Sequence, residues 1–307
     1  MSRPPSPGSA PAPAPPARPR PPKPPKPPGA GLRLASSPRN PALRLARALQ
    51  AKKVRRERRL LVAEGEDLVD AALAHGVQPV ALLIDAERAG ADDPRVRATE
   101  GLRERYLVPP RLLAQASGLA AAPRVLAILP QPPPRSFRDV AFPPALGLYL
   151  AGVADPGNVG TLVRTAAGLG ADWLALGPGS ADAFHPRAVR AAMGATFAIP
   201  ILEGVAPADL ATRHGFAVVG AVPRGGIAPW EANLARPLVL ALGAERGGLG
   251  GALDELAGGR EVVQVTIPQS PGAESLNVAA AGAALMAEAV RQRAISGASG
   301  SDTLSGR

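Results

Sequence analysis

The chain has 307 residues, 46% hydrophobic and 20% charged, with no cysteine, three histidines and only 3% aromatic residues. That composition excludes thiolate nucleophiles, disulfides and cysteine-bearing zinc sites, leaves the scattered His75, His185 and His214 without the grouping of a metal site, and argues against stacking on aromatics as the main way of holding nucleic acid. The formal charge of +10 is uneven: residues 1–60 carry 15 Lys and Arg against one acidic residue, and the remainder is net −4. A basic arm on a near-neutral body suits a polyanionic partner such as RNA or DNA, or serves only as a solubilising tail.

Residues 1–38 read as a disordered arm. The first 30 contain 14 prolines among Ala, Ser, Gly, Arg and Lys, and such a segment has little apolar surface to bury. From Pro41 the pattern turns helical, with Leu43, Ala46, Leu49 and Val54 at helical spacing and Arg and Lys on the other face. LLVAEG then reads as a strand and DLVDAALAHG as a helix closed by Gly76. Strands at VQPVALLID, ERYLVP and RVLAILP, with PRLLAQASG helical between the last two, complete a small α/β module over 39–130. QPPPRSF opens a Pro-rich linker, 131–142.

The second module, 143–295, alternates near-continuous apolar strands (LGLYLAGV, DWLALG, FAVVGAV, PLVLALG, EVVQVTIP) with helices, before a flexible tail at 296–307. That alternation predicts a mostly parallel sheet covered on both faces. No run of ~18 apolar residues occurs, so no membrane span is expected.

Three stretches carry the chemistry, each at the C-terminal end of a strand, where α/β sheets bind ligands. In DPGNVGTLVRTAAGLGAD, 155–172, Asn158 is a natural N-cap and Gly170 a C-cap. Val159, Leu162, Val163, Ala166 and Leu169 form one apolar stripe, and Arg164 falls well off it, facing a cleft, a partner or solvent. In LVLALGAERGGLG, 238–250, a buried strand runs into Gly243, Glu245 and a glycine cluster that permits close backbone approach to a ligand. It is neither a dinucleotide fingerprint nor a P-loop. Glu245 is either a ligand-facing acid or a turn residue. In VTIPQSPGAESLNVAAAG, a strand, a Pro-bounded loop and an Ala-rich helix follow one another, with Ser275 and Asn277 both suited to cap that helix.

In this order and at these spacings, the three stretches resemble the motifs of the SpoU (TrmH-like) family of RNA ribose 2′-O-methyltransferases, in the SPOUT superfamily. Its first motif, N-x-G-x-x-x-R followed by Ser or Thr, is matched by Asn158, Gly160, Arg164 and Thr165. Its second, G-x-E-x-x-G-L after a strand, is matched by Gly243, Glu245, Gly248 and Leu249. Its third is matched by Ile267, Pro268, Glu274, Ser275, Leu276, Asn277 and Val278, with Gln269 where Met is frequent. The 39–130 module resembles, more loosely, the family's ribosomal-protein-like RNA-binding domain.

The resemblance implies a C-terminal domain with a deep trefoil knot, a homodimer, S-adenosylmethionine as cofactor and methyl transfer to a ribose 2′-hydroxyl. It maps cofactor contacts onto Gly243, Ile267 and Leu276 and catalysis onto Arg164, with Asn158, Glu245, Ser275 and Asn277 around it. The expected substrate is ribosomal RNA and the expected location the cytoplasm. The alternatives are a tRNA methyltransferase and a non-catalytic RNA-binding protein that keeps the fold, the latter at odds with the intact site residues. Arg187 and Arg190, three apart on a helical face, read equally as phosphate contacts or as a solvated face. His185 reads as a cap or turn residue rather than a catalyst.

Overall fold

The computed structural model describes residues 31–244, 247–259, 262–272 and 275–301. The first domain comprises β1 (Leu32–Leu34), α1 (Pro41–Ala48), α2 (Lys52–Arg58), β2 (Leu60–Glu64), α3 (Glu66–Ala74), β3 (Ala81–Asp85), α4 (Pro94–Ala98), β4 (Arg105–Val108), α5 (Pro110–Ala116) and β5 (Val125–Pro130). Its sheet has the order β1-β4-β3-β5-β2. β1, β4 and β3 run parallel, and β5 runs antiparallel to both β3 and β2.

Two boundaries differ from expectation. Leu32–Leu34, placed by composition in the arm, is an edge strand in register with Arg105–Leu107, so the ordered domain starts before residue 38. The helical stretch from Pro41 is two helices, broken at 49–51. There the Arg55 guanidinium turns inward and takes the carbonyls of Leu49 and Gln50 at 2.8 and 2.7 Å. Residues 1–30 of the expected arm lie outside the described residues.

The second domain follows with β6 (Leu146–Ala151), α6 (Pro156–Gly168), β7 (Trp173–Leu176), α7 (Pro186–Ala192), β8 (Ile201–Glu203), α8 (Pro207–Ala211), β9 (Ala217–Ala221), β10 (Leu238–Gly243), α9 (Ala252–Ala257), β11 (Val262–Val265) and α10 (Val278–Ser301). All six strands are parallel, in the order β11-β9-β10-β6-β7-β8. Side-chain alternation divides β6 between two cores, as period-two geometry requires. Leu146, Leu148 and Leu150 pack under α6 and α10, while Tyr149 and Ala151 join Trp173, Leu210 and Leu256 on the opposite face. α10 continues to Ser301, beyond the boundary set at residue 295. Among the described residues no helix is long and apolar enough to cross a membrane.

The two domains meet through charge and packing. Arg55, only 1% exposed, donates to Asp182 Oδ2 from Nη2 at 2.6 Å and from Nε at 3.1 Å. Arg190 of α7 pairs with the buried Glu64 at the end of β2. Phe184 and Val189 of the second domain pack into the first domain's core beside Val69 and Ala72. Arg190 is therefore an interdomain tie rather than a solvated residue.

Candidate functional site

Because the strands are parallel and in register (Gly243 lies opposite Ala151), the loops after β6, β7, β8, β10 and β11 all open at one edge of the sheet. A cavity of about 490 Å³ lies there, between the loops that follow β9, β10 and β11. Its walls include Gly243, Ile267, Leu276 and Ser275, so all three expected cofactor residues and one expected catalytic residue converge on it. Leu242, Val265, Val278 and Leu285 make the floor apolar, and Arg224 stands at the mouth. Gln269 also lines the cavity, and its Oε1 is a buried acceptor with no hydrogen-bond partner among the described residues.

Gly243 is where the backbone doubles back. Ala244 and Gly248 exchange paired hydrogen bonds, N to O, at 2.9 and 2.8 Å, and a Cβ on Gly243 would lie 2.0 Å from the Gly248 carbonyl carbon. Only glycine permits that approach. Gly160 answers to a similar demand within α6: a Cβ there would stand 2.2 Å from the Ala188 carbonyl oxygen, so the motif glycine lets α7 pack on α6. Glu245 and Glu274 lie outside the described residues.

The motif asparagines meet across 119 residues of sequence: Asn277 Nδ2 donates to Asn158 Oδ1 at 3.1 Å. Asn277 Oδ1 accepts from Ala279 N at 2.9 Å and Ala280 N at 3.3 Å, so one amide caps α10 and bridges to α6 together. Of the two candidate caps, Asn277 takes the role, and Ser275 remains exposed on the cavity wall.

Asn158 does not cap α6. Asp155 does, its Oδ1 accepting from Asn158 N at 3.0 Å, and the helix begins at Pro156. The signal was present as Asp followed by Pro, the arrangement favoured at N-cap and N1. Placed in the first turn, the Asn158 side chain meets Asn277 instead. Asp155 Oδ2 also holds Arg187 Nη2 at 3.1 Å, so Arg187 braces this turn. His185 caps α7, its Nδ1 accepting from Arg187 N at 3.1 Å. Burial, together with the charges of Arg55, Arg187 and Arg190, pushes the imidazole below its ordinary pKa, which suits an accepting nitrogen.

Arg164 is exposed, off the apolar stripe as expected, with no hydrogen bond or ion pair to its guanidinium among the described residues. It does not line the cavity. At ~100° per residue it projects from α6 about 120° away from Asn158, which reaches toward the α10 loop. One chain thus brings together Gly243, Ile267, Ser275, Leu276, Asn277 and Asn158, but leaves Arg164 apart. Among the described residues no group of three His, Asp or Glu could hold a metal ion.

Comparison with known proteins agrees with this architecture. Residues 145–287 match the SpoU rRNA Methylase family, and residues 40–127 match the MRM3-like substrate binding domain. The chain is 30% identical to an uncharacterised tRNA/rRNA methyltransferase of Synechocystis sp., over 84% of this chain and 93% of that protein. It is 29% identical to the 23S rRNA (guanosine(2553)-2′-O)-methyltransferase of Bacillus subtilis, over 83% and 98% of the two chains. The crystal structure of an AdoMet-bound rRNA methyltransferase from Sinorhizobium meliloti superposes with a TM-score of 0.73 at 30% identity, covering 85% of this chain and 98% of that one. The chain belongs to the SpoU rRNA methylase family.

Proposed function

We propose that this protein is an S-adenosylmethionine-dependent RNA methyltransferase that methylates a ribose 2′-hydroxyl in ribosomal RNA, working as a homodimer in the cytoplasm. The observation that carries the reading is the meeting of the cofactor-type cavity with the catalytic-type helix through the Asn277–Asn158 bond. The cavity suits the cofactor on its own terms. An apolar floor and a glycine wall accept a flat base, and the unpartnered Gln269 Oε1 is an acceptor awaiting an N–H. Bound there, S-adenosylmethionine supplies a methyl group on an electrophilic sulfonium. A trefoil knot in this region fits the return of the chain from β11, at the sheet edge, to α10, which packs Gly282 against Leu162 and Leu242.

The protein's own task is to align the ribose oxygen and ease loss of its proton. Arg164, with a side-chain pKa above ~12, is a poor proton acceptor and a good fork for phosphate. In this mechanism it grips the phosphate beside the target ribose, and Glu245 or that phosphate assists loss of the proton. Ser275 orients the hydroxyl from the cavity wall, and the Asn158–Asn277 pair fixes α6 relative to the loop that carries Ser275. Since Arg164 does not reach the cavity of its own chain, a second copy delivers it, which is the physical argument for the dimer.

Labelled methyl transfer tests the whole reading. Full-length protein is incubated with methyl-labelled S-adenosylmethionine and separate pools of unmodified ribosomal and transfer RNA, and nuclease-resistant dinucleotides are mapped by mass. Label is expected in a ribose of the ribosomal pool. Label confined to the transfer RNA pool would overturn the substrate, and cofactor binding without label in free RNA would shift it to an assembled particle. Failure to bind the cofactor at all would overturn the enzyme reading. A narrower prediction concerns Gln269: replacing it with Met removes the acceptor while nearly conserving shape. The cofactor Kd should rise about tenfold, the cost of one hydrogen bond of ~1 kcal/mol or somewhat more. An unchanged Kd in calorimetry would show that the amide does not read the ligand.

A further inference from the structure

The helix α2, sequence KKVRRER, is oddly built for a structural element. It has seven residues, no side-chain N-cap, and two lysines at the end where the helix dipole is positive. Cations there are unfavourable, and so short a helix does not hold in isolation. Lys52, Lys53, Arg56 and Arg58 are all exposed, and the single acid, Glu57, pairs among the described residues only with Lys53, at 3.9 Å with the lysine side chain 84% exposed. What holds the helix is Arg55, whose guanidinium is spent wholly on Asp182 and on the end of α1. A buried pair of this kind seldom stabilises more than an apolar substitute would. Its effect is on placement.

The placement is specific. Asp182 lies in the loop after β7, and Glu203, which ends β8, meets Arg59 Nη1 at 3.8 Å. Both belong to the sheet edge that carries Gly243, Asp155 and the cavity. The Arg55–Asp182 and Arg59–Glu203 pairs, one from within α2 and one from the residue that ends it, hold the basic helix at this rim. Burial and then Asp182 raise the Glu203 carboxyl, with Arg59, Arg56 and Lys52 acting in the opposite direction. In the sheet order, β8 is two strands from β6, roughly 10 Å, and β6 leads into the helix that carries Arg164. Exposed Arg187, braced on Asp155, lies between them on α7.

We infer that α2 is a phosphate-docking rail for the RNA substrate, with Lys52, Lys53 and Arg56 holding the backbone of the strand that enters the crevice, and that the buried Arg55–Asp182 pair sets its distance from the reacting ribose. RNA is the occupant because the rail shares its edge with the proposed RNA-methylating site; the inference therefore rests on that reading. The rail positions without reading sequence, since cations on phosphates carry register rather than base identity.

The test is a triple variant of the full chain, Lys52→Gln, Lys53→Gln and Arg56→Gln, titrated with unmodified 23S rRNA transcript at several salt concentrations. Each lost phosphate contact removes ~0.7–0.9 from the slope of log affinity against log salt, so a decrease of about 2–3 is expected. The KM for RNA should rise tenfold or more, with kcat at saturating RNA and the cofactor Kd unchanged. A charge-preserving variant (Lys52→Arg, Lys53→Arg, Arg56→Lys) should keep the wild-type slope. An unchanged slope and KM in the glutamine variant, or equal losses in both variants, would overturn the rail. Binding is measured apart from turnover, so a wild-type protein that binds RNA along α2 yet methylates none sinks the enzymatic reading and leaves the rail standing.

Discussion

Gly243→Ala is expected to raise the S-adenosylmethionine Kd by about a hundredfold, the upper end of the ~1–3 kcal/mol that overpacking costs. The added Cβ would sit 2.0 Å from the Gly248 carbonyl carbon and 2.2 Å from its oxygen. Both are backbone atoms of a turn already fixed by its own paired hydrogen bonds, so no side-chain rotation relieves the clash. The turn must swing, and it forms one wall of the cavity. Gly247→Ala is the matched control: a Cβ there meets nothing within 4 Å, and the cofactor Kd should hold within a few fold. Calorimetry on both variants, with circular dichroism to confirm folding, separates a local wall effect from general damage. Equal losses in the two would mean that the turn tolerates no side chain anywhere, and the specific argument for Gly243 would fail.

That glycine was legible in the sequence because the constraint is local: a buried strand ending in Gly, followed by a glycine-rich turn, declares a tight reversal. The parallel sheet was legible for the same kind of reason, since Leu238 through Leu242 are all buried and read as an unbroken apolar run. Asn277 was legible as a cap. Its second bond, to Asn158, was not, because nothing in a sequence links two positions 119 residues apart except the family pattern. Arg55–Asp182 and Arg190–Glu64 were hidden for that reason too, being separated by 127 and 126 residues. Such pairs are decided by how two domains dock. Arg55 was further disguised by its neighbours, one inward-facing cation within a run of outward-facing ones. β1 was masked by composition: three residues with two leucines, at the edge of a basic, proline-rich segment, carry too little signal to stand out.

With the start at Pro156, Asn158 sits inside the first turn and reaches Asn277, while Arg164, six residues on, projects about 120° away from it. The family resemblance groups Arg164 with Asn158, Glu245, Ser275 and Asn277. In one chain Ser275 lies on the cavity wall, and Arg164 is an exposed guanidinium that does not line it.

Arg164→Ala should therefore lower kcat by about 10²–10³, the loss seen when one preorganised donor to a reacting group is removed, while leaving the cofactor Kd unchanged. Arg164→Lys should recover little, because a point charge cannot reproduce the planar fork on a phosphate. Near-normal turnover in the lysine variant would dismiss that geometry. The stronger version pairs two defective chains. Arg164→Ala and Gly243→Ala subunits, co-expressed with different affinity tags and purified as the mixed dimer, contain one intact cofactor cavity and one intact Arg164 on opposite chains. If Arg164 acts on the partner's cavity, these meet in one of the two sites of the symmetric dimer, and activity near the wild-type Kd of the cofactor should return to about half of wild type. If Arg164 acts within its own chain, every site holds one defect and the mixed dimer stays as inactive as either parent. A chain that elutes as a monomer while methylating RNA would remove the need for a partner altogether, and Arg164 would then have to reach its own cavity by a movement of α6.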